Sequence, residues 1–64
     1  MKNCIRQLRR DRGLRQEDLA RLLGVSRQTI VAIENAKYNP TLELAMKLAR
    51  TLETPVEQLF QLED

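Results

Sequence analysis

Residues 16–35 read QEDLARLLGVSRQTIVAIEN, and this stretch decides the fold of the chain. Apolar residues recur at helical spacing on both sides of Gly24, so that each flank can bury one stripe of a helix: Leu19, Leu23, Ile30 and Ile33. Gly24 can adopt the positive φ of a sharp turn, and Ser26 supplies a hydroxyl that can cap the helix after it. Two helices joined by a tight turn form a helix-turn-helix, which we predict here.

Outward from this motif, local signals predict three further helices and no sheet. Gly13 suits the left-handed position that ends the first helix, and Thr41 suits the N-cap of the fourth. The stretch 54–57 reads as a capping box with proline at the first helical position, so a short fifth helix is expected. No segment alternates with a period of two, and we therefore predict no sheet. The predicted helices span residues 3–11, 16–23, 26–35, 41–52 and a short stretch from 55.

The composition argues against catalysis and against a metal site. The chain has 64 residues, which suits one small domain, and we assign residues 1–64 to it. One cysteine and no histidine exclude an internal disulfide and leave no usual set of metal ligands. The commonest catalytic base is therefore absent, and we expect neither an enzyme nor a cofactor. Glu17 and Asp18 fall in the first turn of a predicted helix, where negative charge is favourable without any catalytic role.

Charge is divided unevenly along the chain. Residues 1–37 hold nine Lys or Arg against four Asp or Glu, whereas residues 38–64 hold two against five. A basic half suits the phosphate backbone of DNA, and an acidic half would be repelled by it. A single cysteine, and no apolar run near the roughly 20 residues of a membrane span, favour a cytoplasmic protein without a membrane partner.

The stretch from Ile5 to Phe60 resembles the Cro-like (XRE) family of small bacterial and phage regulators. The resemblance rests on the lead-in IRQLRRDRGLRQ, the exit IENAKYNP, the closing TPVEQLF and six positions of the helix-turn-helix: Gln16, Ala20, Gly24, Val25, Ile30 and Ile33. It implies an all-α fold, namely a five-helix bundle of the phage-repressor DNA-binding type. It also implies a transcriptional regulator that binds double-stranded DNA with sequence specificity.

If the domain docks as its relatives do, the first turn of the third helix enters the major groove. Arg27 suits guanine and Gln28 suits adenine, each through two hydrogen bonds. The methyl groups of Val31 and Ala32 could touch a thymine methyl further along the same face. The alternative is that Arg27 and Gln28 only solvate an exposed helix.

Phosphate contacts are expected on both sides of that helix, and Gln16 lies where the free N–H groups of a helix start meet a phosphate. Arg15 departs from the family pattern, which usually places a capping Ser or Thr before Gln16. It either adds a cation beside the DNA backbone or is a solvated surface residue. The expected phosphate contacts are Arg15, Gln16, Ser26, Thr29, Asn35, Lys37 and Tyr38.

Two charged residues are expected to have a structural role. In relatives with the same lead-in and exit, the residues corresponding to Arg9 and Glu34 form an ion pair between the first and third helices. We expect this pair to fix the recognition helix to the scaffold, and Arg9 could also touch a phosphate. Removal of one partner from a buried pair leaves a costly unpaired charge.

A homodimer is expected, because two copies on half-sites about one helical turn apart supply specificity that one small domain lacks. The predicted core face of the fourth helix leaves Leu44 outside it and contains Leu42, Ala45, Leu48, Ala49 and Leu52. Relatives pair through the end of their last helix, so we place Phe60 and Leu62 at the centre of the interface, with Leu44 nearby. The alternative is that all three are scattered apolar residues of the surface.

These inferences favour a repressor that acts on an operator as a dimer. The alternative is an antitoxin that binds a toxin and uses the same DNA-binding fold to regulate its own synthesis. Antitoxins commonly carry a disordered tail that wraps the toxin, and only residues 61–64 follow the last predicted helix here. We therefore rank the repressor first.

Overall fold

The computed structural model describes residues 1–62 and contains five helices, as predicted. The all-α, five-helix class is confirmed. In chain order the elements are β1 (Lys2–Asn3), α1 (Ile5–Asp11), α2 (Gln16–Leu23), α3 (Arg27–Glu34), α4 (Leu42–Thr51), α5 (Val56–Leu59) and β2 (Phe60–Gln61). None of the helices within residues 1–62 has the length and hydropathy that a membrane crossing requires.

A two-stranded antiparallel ladder joins the two ends of the described chain, although no sheet was predicted. Lys2 pairs with Gln61 and Asn3 with Phe60. The N–H of Cys4 extends the ladder by donating to the carbonyl of Leu59 at 3.1 Å. Strands of two residues are too short to show a period in the sequence, and their pairing depends on contacts between distant segments. As a consequence, α1 begins at Ile5 and not at residue 3 as predicted.

Side chains predicted to cap two helices do so. The hydroxyl of Ser26 accepts the N–H of Thr29 at 3.2 Å, and the hydroxyl of Thr41 accepts the N–H of Leu44 at 3.2 Å. Each bond satisfies one of the backbone donors that a helix start leaves free. These two caps fix the starts of α3 and α4 at the positions that the sequence indicates.

The capping box predicted for α5 is wrong. The hydroxyl of Thr54 donates to the carbonyl of Leu52 at 3.0 Å and so serves the end of α4 instead. Pro55 takes the N-cap position, and α5 begins one residue later, at Val56. The Thr54 hydroxyl bonds to a carbonyl at the end of α4, and α5 has no side-chain cap.

Helices α1 to α4 all end in the same backbone motif, in which a left-handed residue lets two N–H groups bond back into the last turn. At the end of α3, for example, Lys37 N–H reaches the carbonyl of Ala32 at 2.8 Å and Ala36 N–H reaches that of Ile33 at 3.0 Å. Glycine favours this conformation, but only two of the four residues are glycine. The left-handed residues are Gly13, Gly24, Ala36 and Glu53, with φ of 67°, 72°, 58° and 51°.

The core is formed by apolar residues from every helix: Ile5, Leu19, Ala20, Leu23, Ile30, Ile33, Leu44, Ala45, Leu48, Leu52, Leu59 and Phe60. On α4 the predicted core face included Leu42 and left out Leu44, and the structure shows the opposite. Leu44 is buried, at 9% exposure, whereas Leu42 is 73% exposed. These two residues flank the Ala45–Leu48–Leu52 row at nearly equal angles on a helix, so periodicity alone does not choose between them. The predicted place of Leu44 outside the core is therefore wrong.

Candidate nucleic-acid interface

The turn between α2 and α3 is built so that α3 projects its first residues outward. The N–H of Val25 bonds to the carbonyl of Ala20 at 3.0 Å around the left-handed Gly24. The inner face of α3 is then held by Ile30 and Ile33, whose exposures are 0% and 1%. Arg27 and Gln28, which begin the helix, are both exposed.

Several of the predicted DNA-contact residues meet at one open cleft on the outer side of α3. The cleft is lined by Ser26, Gln28, Thr29, Ala32 and Tyr38. Tyr38 is 43% exposed and brings the loop after α3 back to its outer face. Val31 and Ala32 are both half-buried, but only Ala32 lines the cleft, so the methyl groups of Val31 are less available than the single methyl group of Ala32. Lys37 is exposed in the adjoining loop.

The carboxylate of Glu34, at the end of α3, is the centre of a buried polar network. Its side chain has no exposed surface, and Arg9 binds it through Nε at 2.6 Å and Nη2 at 3.2 Å. Gln16 donates to Oε1 at 3.1 Å, and Arg6 donates to the same oxygen at 3.4 Å. The expected Arg9–Glu34 pair is present, and Arg9 is too buried, at 6% exposure, to offer its guanidinium freely to DNA.

Electrostatics keep Glu34 ionised. Burial disfavours the charged carboxylate and would raise its pKa. The hydrogen bonds from Arg9, Gln16 and Arg6, together with the charge of Arg9, outweigh burial and hold the pKa of Glu34 below its ordinary value. At neutral pH a negative charge therefore ties the end of α3 to α1 and to the start of α2.

The network continues from Glu34 to both ends of the recognition helix. Gln16, which donates to Glu34, accepts a hydrogen bond from Arg27 Nη2 at 3.4 Å through its amide oxygen. At the other end, Arg6 Nη2 donates to the side-chain oxygen of Asn35 at 2.7 Å. The predicted phosphate residues Gln16 and Asn35 thus also hold α3 in place. Sequence reasoning missed Arg6, although its position one turn before Arg9 indicated the same face of α1.

An open groove of about 510 Å³ beside α3, which we call the arginine groove, is lined by Arg6, Arg9, Arg10, Arg15, Gln16, Glu17 and Arg27. Arg15 is 73% exposed and pairs with Glu17 at 3.0 Å and with Asp18 at 3.2 Å. Its side-chain and backbone hydrogen bonds hold the pKa of Asp18 below the ordinary value. The carboxylate of Asp18 also accepts the backbone N–H of Arg15 at 2.8 Å, which is the half of a capping box that the third residue of a helix supplies.

A second surface of the molecule is apolar, and its residues differ from those of the predicted dimer interface. Phe60 is only 8% exposed and Leu44 only 9%, because both belong to the core. Leu62, by contrast, is 82% exposed, and Leu42 and Met46 are 73% and 57% exposed. We call Leu42, Met46 and Leu62 the apolar surface. Leu42 and Leu62 line a shallow groove of about 480 Å³ that shares no lining residue with the arginine groove.

Comparison with known proteins identifies the family. The model of the Helix-turn-helix family (HTH_3) matches residues 5–59, and the chain belongs to this family of DNA-binding transcriptional regulators. An uncharacterized HTH-type transcriptional regulator of Methanocaldococcus jannaschii is 52% identical over 64 residues, which cover all of this chain and 97% of that protein. The cryptic phage CTXphi transcriptional repressor RstR of Vibrio cholerae is 40% identical over 55 residues, covering 86% of this chain and 50% of RstR.

A solved structure supports the same assignment. The restriction-modification controller protein C.AhdI from Aeromonas hydrophila superimposes with a TM-score of 0.78 at 38% identity. The match covers 88% of this chain and 85% of that one. The resemblance to XRE-type helix-turn-helix regulators inferred from the sequence is thereby confirmed.

Proposed function

We propose that this regulator is a sequence-specific repressor that binds its operator as a dimer, with α3 in the major groove. The observation that carries the proposal is the presentation of Arg27 and Gln28. Both are exposed at the start of a helix whose other end is fastened to the scaffold through the buried Glu34 network. A helix that is already fixed to the scaffold loses less freedom on binding, which favours base-specific contacts by the side chains it carries.

The chemistry of α3 supports direct reading of base edges. A guanidinium can bond to O6 and N7 of guanine, and a carboxamide to N6 and N7 of adenine. In the proposal Arg27 and Gln28 have these roles, and Ala32 offers a methyl to thymine. Phosphates on both sides are held by exposed or half-buried polar residues around the helix: Arg15, Gln16, Ser26, Thr29, Asn35, Lys37 and Tyr38.

The proposed dimer uses the apolar surface, with Leu62 kept from the original prediction and Leu42 and Met46 replacing Leu44 and Phe60. Three large exposed apolar side chains are unfavourable in water, and a symmetric partner would cover them from both sides. This surface shares no residue with the arginine groove or with the cleft beside α3. Two copies paired there would keep both recognition helices free for DNA.

Repression is proposed because a relative of this chain, RstR, is named as a transcriptional repressor. The experiment that tests the function is genome-wide binding of a tagged copy, combined with transcript levels in a strain that lacks the gene. We expect enrichment at few sites that share an inverted repeat with half-sites about 10 base pairs apart, and higher transcription of the neighbouring genes after deletion. Even coverage of the genome with no shared motif would contradict the proposal.

A further inference from the structure

The arginine groove contains more positive charge than the helix-turn-helix itself requires. Five of its lining residues are arginines, and they come from α1, from the turn before α2 and from the start of α3. Of the carboxylates around it, Glu17 lines the groove and Glu34 lies buried beneath it, so an excess of positive charge remains. Like charges gathered in this way repel one another unless an anion binds among them.

Arg10 and Arg27 are the two arginines of the groove that form no ion pair among residues 1–62, and Arg10 is the one to which the proposed base contacts give no role. Arg9 and Arg6 bind Glu34, and Arg15 binds Glu17 and Asp18. No ion pair between residues 1–62 involves Arg10, and its side chain is exposed. Arg6 and Arg10 are one turn apart on α1, so they face the groove together, and the side chain of Arg6 is still 47% exposed.

The chemistry of the lining identifies the class of ligand. Guanidinium groups bind phosphate oxygens through paired hydrogen bonds. The lining consists of arginine, glutamine and glutamate only, and it offers no aromatic or apolar side chain on which a nucleobase or another organic group could pack. The groove also opens beside Arg27, the first residue of the proposed base-reading helix. A phosphate in the groove would therefore lie next to the base pair that Arg27 contacts.

We propose that the arginine groove binds a phosphodiester of the operator backbone, with Arg10 and Arg6 of α1 and Arg15 as its ligands. This inference rests on the proposed function and extends the DNA-binding surface from the helix-turn-helix onto α1. The groove holds the backbone beside the base pair read by Arg27 and so fixes the register of α3 on the duplex.

The test combines a protein substitution with a change in the DNA. Binding of wild type and Arg10→Ala to the operator is measured by fluorescence anisotropy at several salt concentrations. We expect Arg10→Ala to weaken binding about 5- to 10-fold near 0.1 M salt and to reduce the log–log salt slope by about one for each bound protomer. Operators with single methylphosphonate linkages, which remove one backbone charge at a time, then locate the phosphate. One linkage in each half-site should weaken wild type clearly more than it weakens Arg10→Ala, in which only Arg6 and Arg15 still face that phosphate.

Arg50→Ala is the matched control, because it removes an exposed arginine at the end of α4, outside the groove. It should keep the wild-type salt slope, and Arg10→Gln should reproduce the loss if Arg10→Ala is poorly folded. If wild type reads its operator but Arg10→Ala keeps the same slope and methylphosphonate pattern, the groove proposal is overturned while the proposed function stands. If wild type shows no preference for any operator, the proposed function itself fails. Binding of inorganic phosphate that requires Arg10 but is not displaced by the operator would identify a site for free anions and would also overturn the proposal.

Discussion

The carboxylate of Glu34 accepts hydrogen bonds from three side chains that belong to α1 and α2, and it has no exposed surface. A buried ion pair of this kind adds little net stability, but an unpaired buried charge costs several kcal/mol. The consequence for function is positional, because Gln16 connects the same carboxylate to Arg27 at the start of α3. A single residue at one end of the recognition helix therefore influences a proposed base contact at the other end.

We predict that Glu34→Ala lowers the free energy of unfolding by about 3 kcal/mol. The substitution leaves the charge of Arg9 buried without its carboxylate, with the carbonyl of Leu14 at 2.8 Å as its remaining partner within residues 1–62. Arg15→Ala and Arg27→Ala remove exposed side chains and should each cost about 0.5 kcal/mol or less. Chemical denaturation of the three variants beside wild type measures the difference. A Glu34→Ala variant within about 0.5 kcal/mol of wild type would refute the structural role of the network.

The lowered pKa of Glu34 also predicts how stability depends on pH. A carboxyl whose pKa is lower in the folded chain than in the unfolded chain stabilises the fold fully above its ordinary value of about 4.3. That contribution is lost as the pH falls through the lowered value. Wild type should therefore lose stability below about pH 4 faster than Glu34→Gln, which has no group to titrate there. Parallel loss in both proteins between pH 5 and pH 2 would exclude Glu34 as a source of the acid sensitivity.

Two exposed cations near α3 provide a further test at this scale. Lys37→Ala and Arg15→Ala should weaken binding to cognate and random DNA alike, and each should reduce the log–log salt slope by about one for each bound protomer. The reason is that a phosphate contact carries no information about sequence. Arg15 already pairs with Glu17 and Asp18 in the first turn of α2. An unchanged salt slope for Arg15→Ala would therefore show that Arg15 only stabilises the start of α2 and contacts no phosphate.

At the scale of helices and turns, local chemistry was predictable and contacts between distant segments were not. Ser26 and Thr41 were identified as caps because a cap involves residues three apart in the chain. The ladder between β1 and β2 and the assignment of Leu44 to the core depend on segments brought together only by folding. The place of Arg10 in the arginine groove was missed for the same reason, because the groove is formed by separate segments of the chain and the sequence around Arg10 does not reveal it.

The left-handed residue at the end of α3 gives a prediction for this scale. An L-residue pays about 1 kcal/mol or more for that conformation, and glycine does not. Ala36→Gly should therefore raise the free energy of unfolding by about 0.5–1 kcal/mol, after allowance for the greater freedom of glycine in the unfolded chain. Ala49→Gly, inside α4, is the control and should lower it by about 1 kcal/mol. A destabilised Ala36→Gly would show that the side chain of Ala36 makes a contact that outweighs its backbone strain.

For the whole molecule, the fold separates two surfaces with different chemistry. The arginine groove is basic, the cleft beside α3 is lined mainly by uncharged polar side chains, and the apolar surface shares no residue with either. The uneven charge of the sequence indicated this division before the fold was known. The sequence did not indicate which residues form the apolar surface, because Phe60 and Leu44 are buried in the core of the monomer.

We predict that Leu62→Asp, alone or with Leu42→Asp, yields monomers in analytical ultracentrifugation at tens of micromolar, where wild type is dimeric. A charge at a two-fold interface is introduced on both sides of it at once. The helical circular dichroism signal should persist, since both side chains are exposed. Leu22→Asp, which changes another exposed leucine, should remain dimeric. Monomeric wild type that still binds its operator tightly as one copy would contradict the dimer.

The most direct test of base reading by α3 is the affinity of Arg27→Ala and Gln28→Ala for the cognate operator and for random DNA of equal length. Fluorescence anisotropy at fixed salt gives the six required dissociation constants, for wild type and the two variants on each DNA. Arg50→Ala, measured on both DNAs, is the control of equal charge change for Arg27→Ala. We predict that each substitution costs about 1–3 kcal/mol on the operator and little on random DNA. Equal losses on both DNAs would show that these side chains touch the backbone and not the bases, and would contradict sequence recognition by the start of α3.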